Sequence, residues 1–243
     1  MATSAEKRTS FDALGDDSMQ PEMKRAKSKY TSTIMVLVGE DEEAFTVHES
    51  LICGHADFFK AACSAEWKEG QTRTVRLPPT KPARFQIYLD WLYSQQLLVV
   101  MDAVKKALEQ DDIPTHKDTQ PLLLICELCQ LWMLGDYLLD VTFKNKVMDN
   151  ILAHELPRRR LIMLPTIRTV IDGTPKDCGL QWWMVDHVAP LVEVSQLEEM
   201  RAWLPADVVF ELLKKMVMVR LSSATARGYL PVAATRDKYH EQA

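Results

Sequence analysis

The spacing of hydrophobic positions along the chain changes several times, and each change marks an element. Ile34-Met35-Val36-Leu37-Val38 is a continuous apolar run stopped by Gly39-Glu40-Asp41-Glu42-Glu43. Ala44-Phe45-Thr46-Val47-His48 follows with strand-forming residues, so the two runs predict a hairpin around a charged turn. Two short helices are expected over Glu49–Cys53 and Asp57–Cys63, separated by Gly54. A third strand is expected over Thr72–Leu77, where Val75 and Leu77 alternate with Thr74 and Arg76 before Pro78-Pro79 closes it. After Pro82, Phe85, Tyr88, Leu89 and Leu92 recur at i, i+3, i+4 and i+7, the pattern of an amphipathic helix.

Leu97–Val100 could form a short strand, and the acidic insertion Asp102–Gln120 has room for a helical turn or two around Ala103–Leu108. Leu122–Leu139 is apolar nearly all round, which places that helix in the interior. Thr142–Ala153 is a further amphipathic helix. Beyond Pro157 only helices are predicted, the best of them Leu180–Val188 and Asp207–Leu221. Strands and helices come early and only helices come late, which predicts an α+β domain followed by an all-helical extension. The expected divisions are a disordered tail over residues 1–29, the α+β domain over 30–155 and the extension over 156–243. The tail is polar and lacks apolar periodicity, so it has too little surface to bury to order itself.

Composition narrows the class. The 243 residues include only 8 glycines, none spaced as Gly-x-Gly, which argues against a dinucleotide fingerprint or a phosphate-cradling loop. A net charge of -5 gives no general attraction to nucleic acid or to anionic lipid. The most apolar stretch, Pro121–Leu139, is interrupted by Glu127 and Asp136, so no membrane span is expected. The 5 cysteines have no framework spacing, and no apolar signal segment follows Met1, so they are expected to be reduced thiols of an intracellular protein.

Few residues suggest chemistry. His48 with Ser50 or Cys53 lacks a third orienting group, and no nucleophile elbow exists, so no catalytic set is expected. His48 reads instead as a scaffold residue hydrogen-bonded where the hairpin meets the first helix. Cys126-Glu127-Leu128-Cys129 has redox spacing but lies inside the apolar helix rather than at a helix N-terminus, which favours core thiols. No second close Cys or His pair completes a zinc site, and neither metal nor cofactor is expected. Trp182-Trp183 with Met184, Val185 and His187 is expected to dock the extension on the preceding domain, with a peptide groove as the alternative. Arg158-Arg159-Arg160 is a solvated run by default. Lys24-Arg25-Ala26-Lys27 is either a nuclear-import signal carried by Lys24, Arg25 and Lys27 or a solvated charge run.

Several short motifs occur in a fixed order. They are Val36-Leu37-Val38-Gly39, Phe45-x-Val47-His48-x-x-Leu51-Ile52-Cys53, Phe58-Phe59-Lys60-Ala61-Ala62-Cys63 and Trp67-Lys68-Glu69-Gly70. Val75-x-Leu77-Pro78, Phe85-x-x-Tyr88-Leu89-x-Trp91-Leu92-Tyr93, Leu134-Gly135-Asp136-x-Leu138 and Phe143-Lys144-Asn145 follow. Together they resemble a BTB/POZ domain over about residues 31–153. The later Arg168-Thr169-Val170, Val185-Asp186 and Leu204-Pro205-x-Asp207 resemble the helical region of a stand-alone BTB class. The chain departs from the pattern at Thr33, where an acidic residue is usual, and at Glu49, where a basic one is usual.

The resemblance implies a non-enzymatic protein that works by holding protein partners. It implies homodimerisation and, in many members, recruitment of a cullin scaffold as a substrate adaptor for ubiquitin transfer. The family's cullin-contacting pattern, hydrophobic-x-Glu, corresponds here to Trp67-Lys68-Glu69. A solvated Glu69 beside a Trp67 that merely covers the domain is the bland alternative. At the level of function, the alternative is a nuclear scaffold or transcriptional co-regulator that oligomerises without ubiquitin transfer. Direct binding to nucleic acid or membrane is not implied, and the expected compartment is cytoplasmic, nuclear or both.

Overall fold

In β1 (Thr33–Val38), Ile34, Val36 and Val38 are buried while Thr33 and Met35 face outward. The apolar run therefore resolves into the period-two pattern of a strand with one covered face. The computed structural model describes residues 32–64, 66–97, 120–154, 162, 164–223 and 236–242. β2 (Glu43–His48) pairs antiparallel with β1, from Thr33 opposite His48 to Val38 opposite Glu43. The connecting turn uses left-handed backbone at Gly39 (φ 80°) and Glu42 (φ 51°), and the glycine makes the first of these easy. β3 (Thr74–Leu77) lies parallel to β1 on its other edge, giving the order β2-β1-β3. The hairpin's first strand is thus the centre of the sheet.

A parallel neighbour needs a long crossover. Here it is made by α1 (Glu49–His55), α2 (Asp57–Ala62) and α3 (Lys68–Thr72). α3 takes the residue expected to open the third strand, and Arg73 ends it in left-handed backbone, so β3 begins at Thr74. α4 (Pro82–Ser94) buries Phe85, Tyr88, Leu89 and Leu92 as its spacing requires, and Trp91 with them. Of the possible strand Leu97–Val100 only Leu97 is described, and it is buried coil. The insertion after it lies outside the described residues.

The centre is built on α5 (Gln120–Tyr137) and α6 (Val141–Ala153). On α5, Leu123, Ile125, Leu128, Cys129, Leu131 and Trp132 are all buried. One charge lies among them. Glu127 is fully buried and receives two hydrogen bonds from Arg84 of α4, at 2.9 and 3.0 Å. Burial pushes its carboxyl above the usual range, with the Arg84 guanidinium pulling back. α5 ends in a tight turn where Asp140 caps α6 by accepting from the Phe143 amide at 2.9 Å. Asp140 also accepts from the Tyr88 hydroxyl at 3.0 Å, tying this turn to α4. A Cβ on Gly135 would come within 2.9 Å of Lys144 and Phe143, so only glycine lets the two helices approach this closely.

The extension consists of α7 (Leu164–Gly173), α8 (Gly179–Val188), α9 (Val194–Met200), α10 (Ala206–Ser223) and α11 (Arg236–Tyr239). α7 packs on α5 through Ile167 and Val170, and the Thr166 hydroxyl reaches the Cys126 sulfur at 2.9 Å. A C-terminal strap over residues 236–242 crosses both parts. Asn145 of α6 exchanges two hydrogen bonds with the Glu241 backbone, at 2.8 and 2.9 Å. His240 meets Asp149 at 2.8 Å, and the buried Tyr239 donates to Asp186 of α8 at 2.6 Å. Trp183, Met184 and Val185 are buried, but α8 packs chiefly on α7, α10 and α11. The docking expected of Trp182-Trp183 is therefore carried mainly by α7 and the strap, because α8 already fills the middle of the extension.

Replacing Glu127 by Leu should cost about 3–5 kcal/mol, because it removes the carboxylate that compensates the buried Arg84 guanidinium through two hydrogen bonds. In urea titrations, Arg84→Met with Glu127→Leu should recover most of that loss. At Asp186, burial works to raise the carboxyl, but hydrogen bonds from Lys215, Lys238 and Tyr239 outweigh it and hold the group below its usual value. A depressed carboxyl adds stability above its unfolded value of roughly 3.9 and loses it as pH falls through the lower folded value. Denaturation midpoints should thus drop with acid below about pH 4, and less steeply in Asp186→Asn.

Candidate interaction surface

Trp67 stands at the N-terminal edge of α3, with extended backbone (φ −103°, ψ 152°) and 59% of its surface exposed. It is held by its backbone: its amide donates to the Ser64 carbonyl at 3.1 Å and its carbonyl accepts from Gln71 at 3.2 Å. Glu69 is half-buried in the first turn of the same helix. Gly70 explains the local path, since a Cβ there would lie 2.0 Å from the Ser64 oxygen. Trp67-Lys68-Glu69-Gly70 is therefore a tight turn of helix that presents a large apolar ring and a carboxylate two residues apart. An exposed indole has no packing reason to be there, and such rings are frequent anchors of protein contacts.

A second apolar group lies at the other end of α2. The half-buried Phe58 packs on the Tyr137 ring at 5.3 Å, and its amide donates to the Leu138 carbonyl at 3.3 Å. Beside them Leu139 is exposed, turned outward by left-handed backbone (φ 56°). Sequence reasoning did not single these out, because it runs the apolar helix through Leu139 and so treats Tyr137 and Leu139 as core. Asp140, the cap of the next helix, was the available signal that the helix stops earlier.

On the sheet side, Thr33 and Met35 are exposed on β1. Glu49 does not stand alone. It accepts a short hydrogen bond from the Ser32 hydroxyl and pairs with Arg73 at 3.2 Å. The acidic departure from the family pattern is thus neutralised within the chain by the residue that ends α3.

The remaining candidates are structural. His48 ends β2, leads into α1, and its Nδ1 lies 2.8 Å from the Tyr93 hydroxyl of α4. It joins sheet, crossover and α4, as expected of a scaffold histidine. Burial pushes the Cys126 thiol up to about 11 and that of Cys129 well above its ordinary value. Cys178 is buried and also raised. No group of three metal-ligating side chains occurs among the described residues. Lys24, Arg25, Lys27 and Arg158-Arg159-Arg160 lie outside those residues. Among the described residues no helix is long and apolar enough to cross a membrane.

The three-stranded sheet, its crossover helices and the helices that follow define an α+β fold. The chain contains a BTB/POZ domain, matched by that family over residues 23–113. It is 22% identical over 107 residues to mouse Kelch-like protein 9, and 22% identical over the same length to human Kelch-like protein 13. Each match covers 44% of this chain and 16% or 15% of the relative, so the chain spans about a sixth of the length of these relatives.

A thiol reagent checks the assignment of the cysteines. At pH 8, Ellman's reagent should reach no thiol beyond the half-buried Cys53 and Cys63 in the native protein. Reaction at Cys53 should be slow, since burial raises its thiol to about 12. Cys126, Cys129 and Cys178 should react only after denaturation.

Proposed function

We propose that this protein is a self-associating BTB substrate adaptor for a cullin-based ubiquitin ligase. Trp67 and Glu69 help to contact the cullin, and the helical extension over 156–243 or the tail over 1–29 selects the target. The observation that carries this reading is the exposed Trp67, fixed by backbone hydrogen bonds two residues from Glu69. The pair matches the hydrophobic-x-Glu pattern of the resemblance in type and in position. Phe58, Tyr137 and Leu139 add apolar surface at the far end of α2. Met35 and the internally neutralised Glu49 support self-association on the sheet side, because they leave an uncompensated charge off that face.

The second reading is a nuclear scaffold or transcriptional co-regulator that oligomerises through the BTB domain without ubiquitin transfer. It rests on the basic cluster Lys24, Arg25 and Lys27. Nuclear accumulation that depends on those three side chains, in cells where no cullin co-purifies, would select it.

Trp67→Ala with Glu69→Ala should weaken cullin recovery in pull-downs about 30-fold or more, the scale of losing one interface anchor. Its melting temperature should stay within about 2 °C of wild type, because both groups are at the surface. Unchanged recovery would refute the adaptor reading.

A further inference from the structure

α10 is amphipathic in two directions. Leu212 is buried, and Val208 and Met216 pack partly against the core, so one face holds the helix to the extension. On the opposite face Ala206, Phe210, Leu213 and Val217 form a stripe with spacing 4-3-4, the alternation of a heptad seam. All four are exposed, Phe210 by 61% and Leu213 and Val217 each by 55%. Charges flank this stripe asymmetrically. Asp207 and Glu211 lie toward the N-terminus and Lys214 follows one turn later, all on one side of the seam.

We infer that α10 is a second self-association surface, on which two copies of the chain pair antiparallel through this stripe. The arrangement is self-complementary under a twofold axis, as a closed homodimeric contact requires. With the axis midway between Glu211 and Leu212, Phe210 faces Leu213 of the second copy and Ala206 faces Val217. In the same register Lys214 falls level with the gap between Asp207 and Glu211 of the second copy, on the same flank. Two opposite-charge clusters therefore form, one on each side of the axis. Each group already has a partner in its own chain: Lys214 meets Glu211 at 2.8 Å and Asp207 meets Lys176 at 2.8 Å. Pairing thus joins exposed ion pairs into a network without stranding a charge. A parallel pairing would instead set Phe210 beside Phe210 and Lys214 level with Lys214.

The overlap from Ala206 to Val217 is only about 18 Å long. Association through it should be weak, on the order of micromolar. Such a contact lies apart from the sheet side of the BTB domain, so it would link copies or dimers into larger assemblies and raise their effective concentration for a partner. The inference does not depend on cullin binding.

Sedimentation equilibrium of the full chain tests it. Leu213→Glu should remove one association step, halving the mass whether wild type is then a dimer or, with sheet-side pairing, a tetramer. Lys214→Asp should weaken that step about tenfold, since the attractive cluster on each side of the axis becomes repulsive. Asp207→Lys and Glu211→Lys combined with Lys214→Asp should restore it to within about threefold of wild type, which neither an unrelated partner nor an intrachain cover would produce. An unchanged mass in Leu213→Glu, with or without a lower melting temperature, overturns the inference. So does failure of the full charge reversal to restore association while its melting temperature matches that of Lys214→Asp.

Discussion

A helix that is apolar on every side must be covered on every side, and α5 imposes that condition on the rest of the molecule. α4 covers one face and brings Arg84 to Glu127, the buried carboxylate of α5. α6 covers a second, pressed close where Gly135 leaves room for Phe143 and Lys144. α7 covers a third, with Thr166 on Cys126. Without α7 a row of leucine, isoleucine and cysteine side chains would meet water, at roughly 25 cal/mol for each Å² uncovered. The extension is therefore part of the same hydrophobic core as the sheet, and one cluster of buried residues runs from Ile34 to Tyr239. The strap over 236–242 reinforces the union by bridging α6 and α8 with polar contacts.

With its interior so constrained, the molecule presents its chemistry at the edges. Apart from Met35 in the middle of β1, the exposed rings and aliphatic groups named above occur where an element begins or ends, or on the outer face of the last long helix. Trp67 opens α3, Tyr137 and Leu139 close α5, and Phe210 and Leu213 lie on α10. Buried titratable groups behave in the opposite way: Glu127, Asp140 and Asp186 are each bonded to named partners, and each ties two or more elements together. Polar groups inside join elements to one another, while these apolar groups stand at the surface.

Much of this was legible in the sequence. The 3.6-residue period of Phe85, Tyr88, Leu89 and Leu92 identified the buried face of α4, and the core placement of Cys126 and Cys129 followed from a helix with no polar side. His48 was recognisable as a joint between strand and helix, although its partner Tyr93 lies 45 residues away and could not be named. The boundary of the third strand was less readable. Thr72 and Arg73 fit a strand by propensity, and only the close approach of Gly70 to Ser64 shows that they finish a helix.

What the sequence determined by itself was the local periodicity: which faces are apolar, where glycine and proline interrupt them, and which motifs follow in BTB order. Those features act over a few residues, so they survive without knowledge of the fold. Tertiary structure decided which elements meet. It made β1 the central strand, moved the docking of the extension from Trp182-Trp183 to α7 and the strap, and answered Glu49 with Arg73. It also separated the apolar residues left outside, Trp67, Leu139 and Phe210, from those of the same chemistry that are buried. Burial depends on what packs from elsewhere in the chain, and no spacing along a single element carries that information.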